Sequence, residues 1–226
     1  MEPIINRNFI STIIVCSAIM FMTEGINANP ANWCREGHFP ENARIDAYGI
    51  IKKNSKKRTY FYHDNSNCPD KYLQCRTNSY LIPGDSVILA GQYRDFYCAL
   101  YSSRKEKITV GWILKSDVKL KKTSVSAPDD WTGTWKYYES EINISKTESG
   151  RLYIRGTSVW LSSFTVHTGE FEINEKPVKI KIENAISSPH ECGVRLILIA
   201  GWLVVSDNKK CGGVNVTFDG VYSRKK

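Results

Sequence analysis

The sequence contains no hydrophobic run long enough to cross a bilayer. The apolar run from Phe9 to Met22 has 14 residues, whereas a spanning helix needs about 20. Arg7 precedes this run and small residues ending at Ala28 follow it, which is the pattern of a cleavable secretory signal. We therefore expect residues 1–28 to be a signal peptide, and the mature chain to be periplasmic or secreted without a transmembrane segment.

Recognisable catalytic motifs are also missing. The sequence has no Gly-x-Ser-x-Gly elbow, no His-Glu-x-x-His motif and no glycine-rich phosphate loop. Its four histidines are scattered, and no Cys-x-x-Cys pair with a nearby histidine suggests a metal site. Carboxylate pairs such as Glu139 with Glu141 are typical of exposed strand faces, although the separation that glycoside hydrolysis requires is a spatial property. We expect a non-enzymatic protein that needs no metal or cofactor.

Helical periodicity is nearly absent, and alternating segments between Gly, Asn, Asp and Pro predict strands. We expect one long strand from Val194 to Val205, bent at Gly201, and a further strand from Val214 to Tyr222. The pattern predicts an all-β protein. Shorter strands are expected at residues 59–62, 86–89, 96–101, 141–144, 152–154 and 178–182.

A polar stretch from Lys121 to Asp130 lacks a strand pattern and is typical of a linker. It divides the mature chain into two predicted domains, residues 29–125 and residues 126–226. We expect a protease to cut near Pro128 and to leave two folded fragments.

Six cysteines remain after the predicted signal, and an even number in an oxidising compartment suggests disulfides. Four precede residue 125 and two follow it, so each half can pair internally. The four in the first half allow three pairings. The set that we favour joins Cys192 to Cys211, Cys68 to Cys75 and Cys34 to Cys98.

The positive charge is concentrated in the first half of the mature chain. Residues 29–125 hold 17 Lys and Arg against 9 Asp and Glu, a net of +8, whereas residues 126–226 hold 13 against 12, a net of +1. A basic face attracts acidic glycans, anionic headgroups or wall polymers; nucleic acid is not an expected partner outside the cell. The alternative is a solvated surface that maintains solubility. The candidate binding residues are Lys52, Lys53, Lys56, Lys57, Arg58 and Trp112.

Residues 45–120 resemble a bacterial SH3-like domain. The matching motifs are Tyr80-Leu81-Ile82-Pro83-Gly84-Asp85-Ser86-Val87, the aromatic strand Phe96-Tyr97-Cys98-Ala99-Leu100-Tyr101, and Gly111-Trp112-Ile113. The resemblance implies a small barrel that binds a ligand, with Tyr60-Phe61-Tyr62 as its first strand. Trp112 is then either a binding residue or a core residue that packs across the barrel.

The second half resembles a C-terminal module of exported bacterial proteins. Its marks are Trp131-Thr132-Gly133-Thr134-Trp135 and the closing stretch from Cys211 to Tyr222. The Gly-x-Trp opening is also similar to that of small calycin-like barrels, which hold apolar ligands, an analogy of fold only.

Together these features predict an N-terminal SH3-like barrel followed by a second antiparallel β barrel or sandwich. The expected function is an exported binding protein that engages an anionic or peptide component of the cell envelope, or a host surface. The alternative is an inhibitor or immunity-type protein that acts on an extracellular hydrolase.

Overall fold

The architecture was obtained as a computed structural model, and the chain is all-β, which confirms the predicted fold class. The predicted signal peptide lies outside the described residues. In the part of the chain that the structure describes, no helix is long and apolar enough to cross a membrane. The described residues are 33–44, 47–53, 58–65, 68–103, 107–177, 181–183, 188 and 190–225.

The first half forms a seven-stranded antiparallel sheet with the order β3-β2-β6-β5-β4-β1-β7. Buried side chains from all seven strands meet in one cluster, so the sheet curls over a core of its own. β1 precedes the Tyr60-Phe61-Tyr62 segment that the sequence suggested as the first strand. The strands are β1 (Ala47–Ile51), β2 (Thr59–Tyr62), β3 (Arg76–Leu81), β4 (Ser86–Tyr93), β5 (Phe96–Ser102), β6 (Ile108–Leu114) and β7 (Val118–Lys122), and the short helices are α1 (Phe39–Asn42) and α2 (Tyr72–Cys75).

The second half forms a nearly closed eight-stranded antiparallel barrel, as the sequence predicted. Its strands form a meander in which the first and last strands pair, with Trp135 opposite Arg224. β11 and β12 are left as the two edges of the seam. After the short helix α3 (Pro128–Trp131), the strands are β8 (Gly133–Tyr137), β9 (Ser140–Lys146), β10 (Leu152–Leu161), β11 (Val166–Glu175), β12 (Lys181–Glu183), β13 (Val194–Ile199), β14 (Trp202–Asp207) and β15 (Gly220–Arg224).

The prediction of one long strand from Val194 to Val205 was wrong. The segment is a tight hairpin in which Ile199 pairs with Trp202. Ala200 and Gly201 form its two-residue turn, with φ angles of 52° and 82°. Positive φ at both positions is typical of a type I′ turn, which usually begins with Asn, Asp or Gly. Because Ala200 stands at the first of these positions, the sequence did not indicate a turn there.

This turn gives a prediction about stability. Alanine is strained at positive φ, whereas asparagine tolerates that conformation and Asn-Gly is a preferred type I′ pair. We expect Ala200→Asn to raise the unfolding free energy by about 1 kcal/mol, measured by urea denaturation. Ala200→Val is the control and should lower it, since a β-branched residue fits positive φ poorly. Equal stability of the two variants would contradict the turn assignment.

The prediction of a strand from Val214 to Tyr222 was also too long, because β15 begins only at Gly220. The preceding segment is held by carboxylates instead of a strand partner. Asp207 accepts a hydrogen bond from the backbone N–H of Phe218 at 2.5 Å, and Asp219 accepts one from the backbone N–H of Asp207 at 2.7 Å. These two carboxylates replace the backbone pairing that alternating hydrophobicity suggested.

Three disulfides join the cysteine pairs that the sequence favoured. Cys34–Cys98 ties residues 33–44, which we call the N-terminal segment, to β5. Both cysteines lie in a buried cluster. Cys192–Cys211 links the residues on either side of the β13–β14 hairpin. Cys68–Cys75 closes a short loop before β3.

The two sheets share a hydrophobic cluster. The outward faces of β13, β14 and β15 pack against side chains from β4, β5 and β6 and from the N-terminal segment. The predicted domain boundary stays a prediction, but each half separated from the other would expose part of this cluster. Its buried members include Phe39, Ile88, Leu100, Trp112, Ile197, Ile199, Val204 and Val221.

The N-terminal segment adds polar contacts between the halves. Arg195 on β13 donates hydrogen bonds to the carbonyl oxygens of Pro40 and Glu41 at 3.1 and 2.9 Å. The Tyr137 hydroxyl donates to a carboxylate oxygen of Glu36 at 2.8 Å. Burial and this hydrogen bond raise the pKa of Tyr137, so its hydroxyl remains a donor at ordinary pH.

Candidate anion-binding surface

The candidate site lies on the outer face of strands β2 and β3. Phe61 and Leu81 point into the core of the first sheet and are buried. Since side chains alternate along a strand, Tyr60 and Tyr80, which precede them, lie on the opposite face of the sheet. Tyr60 and Tyr80 are directly opposite each other in the register of the two strands. β3 is an edge strand, so this face lies at the border of the sheet.

Two arginines extend the tyrosine pair into a column. The Arg58 guanidinium lies 4.2 Å from the centroid of the Tyr80 ring, and the Arg76 guanidinium lies 4.5 Å from that of Tyr60. The two tyrosine rings meet edge to face with centroids 6.0 Å apart. We call Arg58, Tyr80, Tyr60 and Arg76 the Arg–Tyr ladder.

The ladder is exposed and positively charged. Both arginines are exposed, and Tyr80 is 42% exposed. A hydrogen bond with Tyr60 and the charge interaction with Tyr80 raise the pKa of Arg58. Among the described residues, neither arginine forms an ion pair with a carboxylate. A stacked guanidinium keeps its in-plane N–H donors available, and these match the oxygens of carboxylate, sulfate or phosphate.

The structure describes three of the five residues of the predicted basic cluster. Arg58 belongs to the ladder and Lys53 is exposed, but the Lys52 ammonium donates to the carbonyl oxygen of Ser116 at 2.6 Å. Lys56 and Lys57 lie outside the described residues. Three further lysines, Lys119, Lys121 and Lys122, lie on β7, the other edge strand of the sheet. This strand begins close to the ladder, because the Thr59 hydroxyl donates to Asp117 at 3.2 Å.

Trp112 lies in the core and not on the candidate surface. It is 2% exposed and belongs to the cluster between the two sheets. Its indole N–H donates to Asp64 at 3.3 Å. Asp64 also accepts hydrogen bonds from the backbone N–H of Cys34 and from the Arg35 side chain. The contacts of Trp112 therefore anchor the N-terminal segment to the sheet.

The barrel interior, which the calycin-like analogy suggested as an apolar ligand site, is filled by side chains from all eight strands. Trp135 is fully buried, its indole N–H donates to the Trp131 carbonyl oxygen at 2.9 Å, and the Arg224 guanidinium lies 4.7 Å from its ring centroid. The Trp131 indole N–H is the one buried side-chain polar atom of the described residues without a hydrogen-bond partner.

The described residues also contain no group of three His, Cys, Asp or Glu side chains that could hold a metal ion.

Sequence reasoning missed three of the four ladder residues. The alternation around Tyr60 predicted a strand, but not that β3 would place Tyr80 opposite Tyr60. The register then shifts by two residues between Tyr60 and Tyr62, which brings Arg76 opposite Tyr62. The available signal was the spacing Arg58-x-Tyr60, which puts a cation and an aromatic ring on one strand face.

No protein-family model, curated protein or solved structure matches this chain. The resemblance of the first half to a bacterial SH3-like domain therefore stays a prediction. The same holds for the resemblance of the second half to an exported bacterial module.

Proposed function

We propose that this chain is an exported, non-enzymatic binding protein that engages a polyanionic component of the cell envelope or a host surface. The binding surface is the Arg–Tyr ladder. The observation that carries this proposal is a pair of exposed guanidinium groups, each stacked on a tyrosine ring and neither paired with a described carboxylate. The inhibitor alternative stays a prediction.

Stacking prepares the arginines for binding. A free arginine side chain loses considerable rotamer freedom when it is immobilised, whereas Arg58 and Arg76 are already held over tyrosine rings. Their planar donor edges can each form paired hydrogen bonds with an anionic group. The two arginines stack on opposite members of a tyrosine pair, which suits a ligand that repeats its negative charge, such as a polymer or an array of headgroups.

The rest of the first half supports this role through the electrostatic attraction of its net positive charge. Its net charge of +8 concentrates anionic ligands near the surface and accelerates their association at low ionic strength. Tyr80 and the neighbouring Ile82, which is 52% exposed, add apolar surface beside the charges. The ladder therefore offers contacts both to the anionic groups of a ligand and to its carbon skeleton.

The test removes two charges at the ladder and two elsewhere. We expect Arg58→Gln with Arg76→Gln to weaken binding to dextran sulfate by about tenfold or more, because charged hydrogen bonds are lost. The matched control, Lys121→Gln with Lys122→Gln at the end of β7 away from Asp117, removes the same charge and should weaken binding by less than about threefold. Polygalacturonate and phosphatidylglycerol vesicles then distinguish a carboxylate polymer from a lipid headgroup, where the loss of vesicle binding in the ladder variant is the quantity compared.

Binding of the unaltered protein to dextran sulfate should also weaken as the salt concentration is raised from about 0.05 M to about 0.5 M, because salt screens the attraction between the arginines and the anion. Equal losses in the ladder and β7 variants would show that only net charge matters. The absence of binding to all three probes at low salt would overturn the proposal.

A further inference from the structure

The hairpin of β10 and β11 ends in an exposed apolar tip. Residues 156–169 contain no Asp, Glu, Lys or Arg. Leu161 is 60% exposed, Phe164 95% and Val166 63%, and Val214 in the neighbouring loop is 69% exposed. We call these four residues the apolar tip. Clustered exposed apolar residues of this kind mark interaction sites.

The tip projects beyond the neighbouring strand. β10 and β11 pair continuously from Leu152 with Glu175 to Leu161 with Val166. β9 accompanies β10 only as far as Thr157. The last four residues of β10 therefore extend about 13 Å farther, at roughly 3.3 Å per residue, before the turn reverses the chain.

Three backbone N–H groups of the turn have hydrogen-bond partners within the turn itself. The backbone N–H of Ser162 donates to the carbonyl oxygen of Thr165 at 2.9 Å. The Ser162 hydroxyl oxygen accepts hydrogen bonds from the backbone N–H groups of Phe164 and Thr165, at 3.2 and 3.0 Å. These bonds hold Phe164 outward, and they lower the penalty for moving the turn into an apolar medium, where unpaired N–H groups are costly.

A second loop is fastened beside the hairpin. Gly169 and Gly212 form an isolated bridge, and a Cβ on Gly212 would lie only 2.7 Å from the Gly169 Cα atom. This close approach requires glycine. His167 Nδ1 also lies 2.7 Å from the carbonyl oxygen of Val214. Val214 is thereby fixed next to the hairpin end.

Apolar and aromatic side chains surround the end of the hairpin on both faces. Leu161 and Val166 are register partners on one face, Trp160 and His167 are partners on the other with ring centroids 5.4 Å apart, and Phe164 lies in the turn between them. A groove on a protein covers one face of such a hairpin, whereas a bilayer interface surrounds all of it. Tryptophan just behind an apolar end also suits the headgroup region.

We propose that the apolar tip inserts into the interfacial region of a lipid bilayer, and that it does so independently of lipid charge. The site lies in the second half of the chain and is separate from the Arg–Tyr ladder. Insertion of apolar side chains is driven by their removal from water. Binding through the tip should therefore not weaken with salt, in contrast to binding through the ladder.

The experiment uses the full chain and vesicles of phosphatidylcholine, which carries no net charge. We expect the unaltered protein to co-sediment with these vesicles, and Phe164→Ser to reduce its partitioning by about tenfold. The matched control is Val125→Ser, since Val125 is 72% exposed outside the tip, and it should change partitioning by less than about twofold. Phe164→Trp should retain binding and shift its fluorescence emission to the blue on vesicle addition.

Failure of the unaltered protein to bind phosphatidylcholine vesicles would overturn this inference, as would full binding by Phe164→Ser. A concentration-dependent dimer that is lost in Phe164→Ser, without vesicle binding, would assign the tip to a second copy of the chain instead. Because phosphatidylcholine has no net charge, these outcomes are independent of the tests with dextran sulfate and polygalacturonate.

Discussion

Val204→Asp is expected to destabilise both halves of the protein together, by about 4 kcal/mol or more. Val204 is 1% exposed and lies in the cluster shared by the two sheets. A carboxylate placed there loses its hydration and gains no partner, a large penalty for a buried charge. The matched control, Val125→Asp, puts the same charge at an exposed position and should change stability by less than about 0.5 kcal/mol.

The measurement is urea denaturation followed by native-state hydrogen exchange of strands in each half. The shared cluster predicts that protection falls in β4–β6 as well as in β13–β15. It also predicts that the fragments produced by cleavage near Pro128 remain associated. Loss of protection confined to the barrel, with separate elution of the two fragments, would show that the halves are independent.

Removal of the Cys34–Cys98 disulfide by paired serine substitutions should have the second large effect. This bridge has a sequence separation of 64 residues, for which the loop-entropy relation gives about 4 kcal/mol. Both cysteines are also buried in the shared cluster. The bridge holds the segment that places Glu36 against Tyr137, so its loss should loosen contacts to the barrel as well.

The internal comparison is the Cys68–Cys75 bridge. Its separation is only 7 residues, and the same relation gives about 2.5 kcal/mol. Unfolding free energies of the two paired-serine variants provide the test. A larger loss at the short loop would mean that loop length and the shared cluster do not govern the contribution of these bridges.

Much of the fold follows from short-range sequence features. Alternation identified strands such as Ser140–Lys146 and Leu152–Leu161 because each has one face in the core. The Cys192–Cys211 pair followed from the division of the chain into halves, whereas the two pairs of the first half were a preference among three possible pairings. These features are local or depend on composition, so they can be predicted from the sequence without the tertiary structure.

The errors arose where side chains or unusual residues override the local pattern. Ala200 occupies a turn position that favours asparagine, so the β13–β14 hairpin was taken for one strand. Asp207 accepts a backbone hydrogen bond that a neighbouring strand was expected to supply. The cluster between the sheets was not foreseen, since a strand that is apolar on both faces gives no indication of which partner covers its second face.

The candidate site was harder to predict than the fold. Charge counting directed attention to the first half and included Arg58, but Tyr60, Tyr80 and Arg76 meet only through the pairing of β2 with β3. The apolar tip was also only partly predictable. Its lack of charge is visible in the sequence, whereas its exposure depends on how far β10 extends beyond β9.

The most direct test of the ladder is a nuclear magnetic resonance titration of the unaltered protein with a sulfated oligosaccharide at low salt, observing arginine Nε–H signals. We predict that Arg58 and Arg76 show the largest shifts and that the Tyr60 and Tyr80 ring signals move with the same apparent affinity. Arg155 and Arg195, which lie on the barrel, should shift little. Larger shifts at Arg155 or Arg195, with Arg58 and Arg76 unchanged, would contradict the assignment of anion binding to the Arg–Tyr ladder.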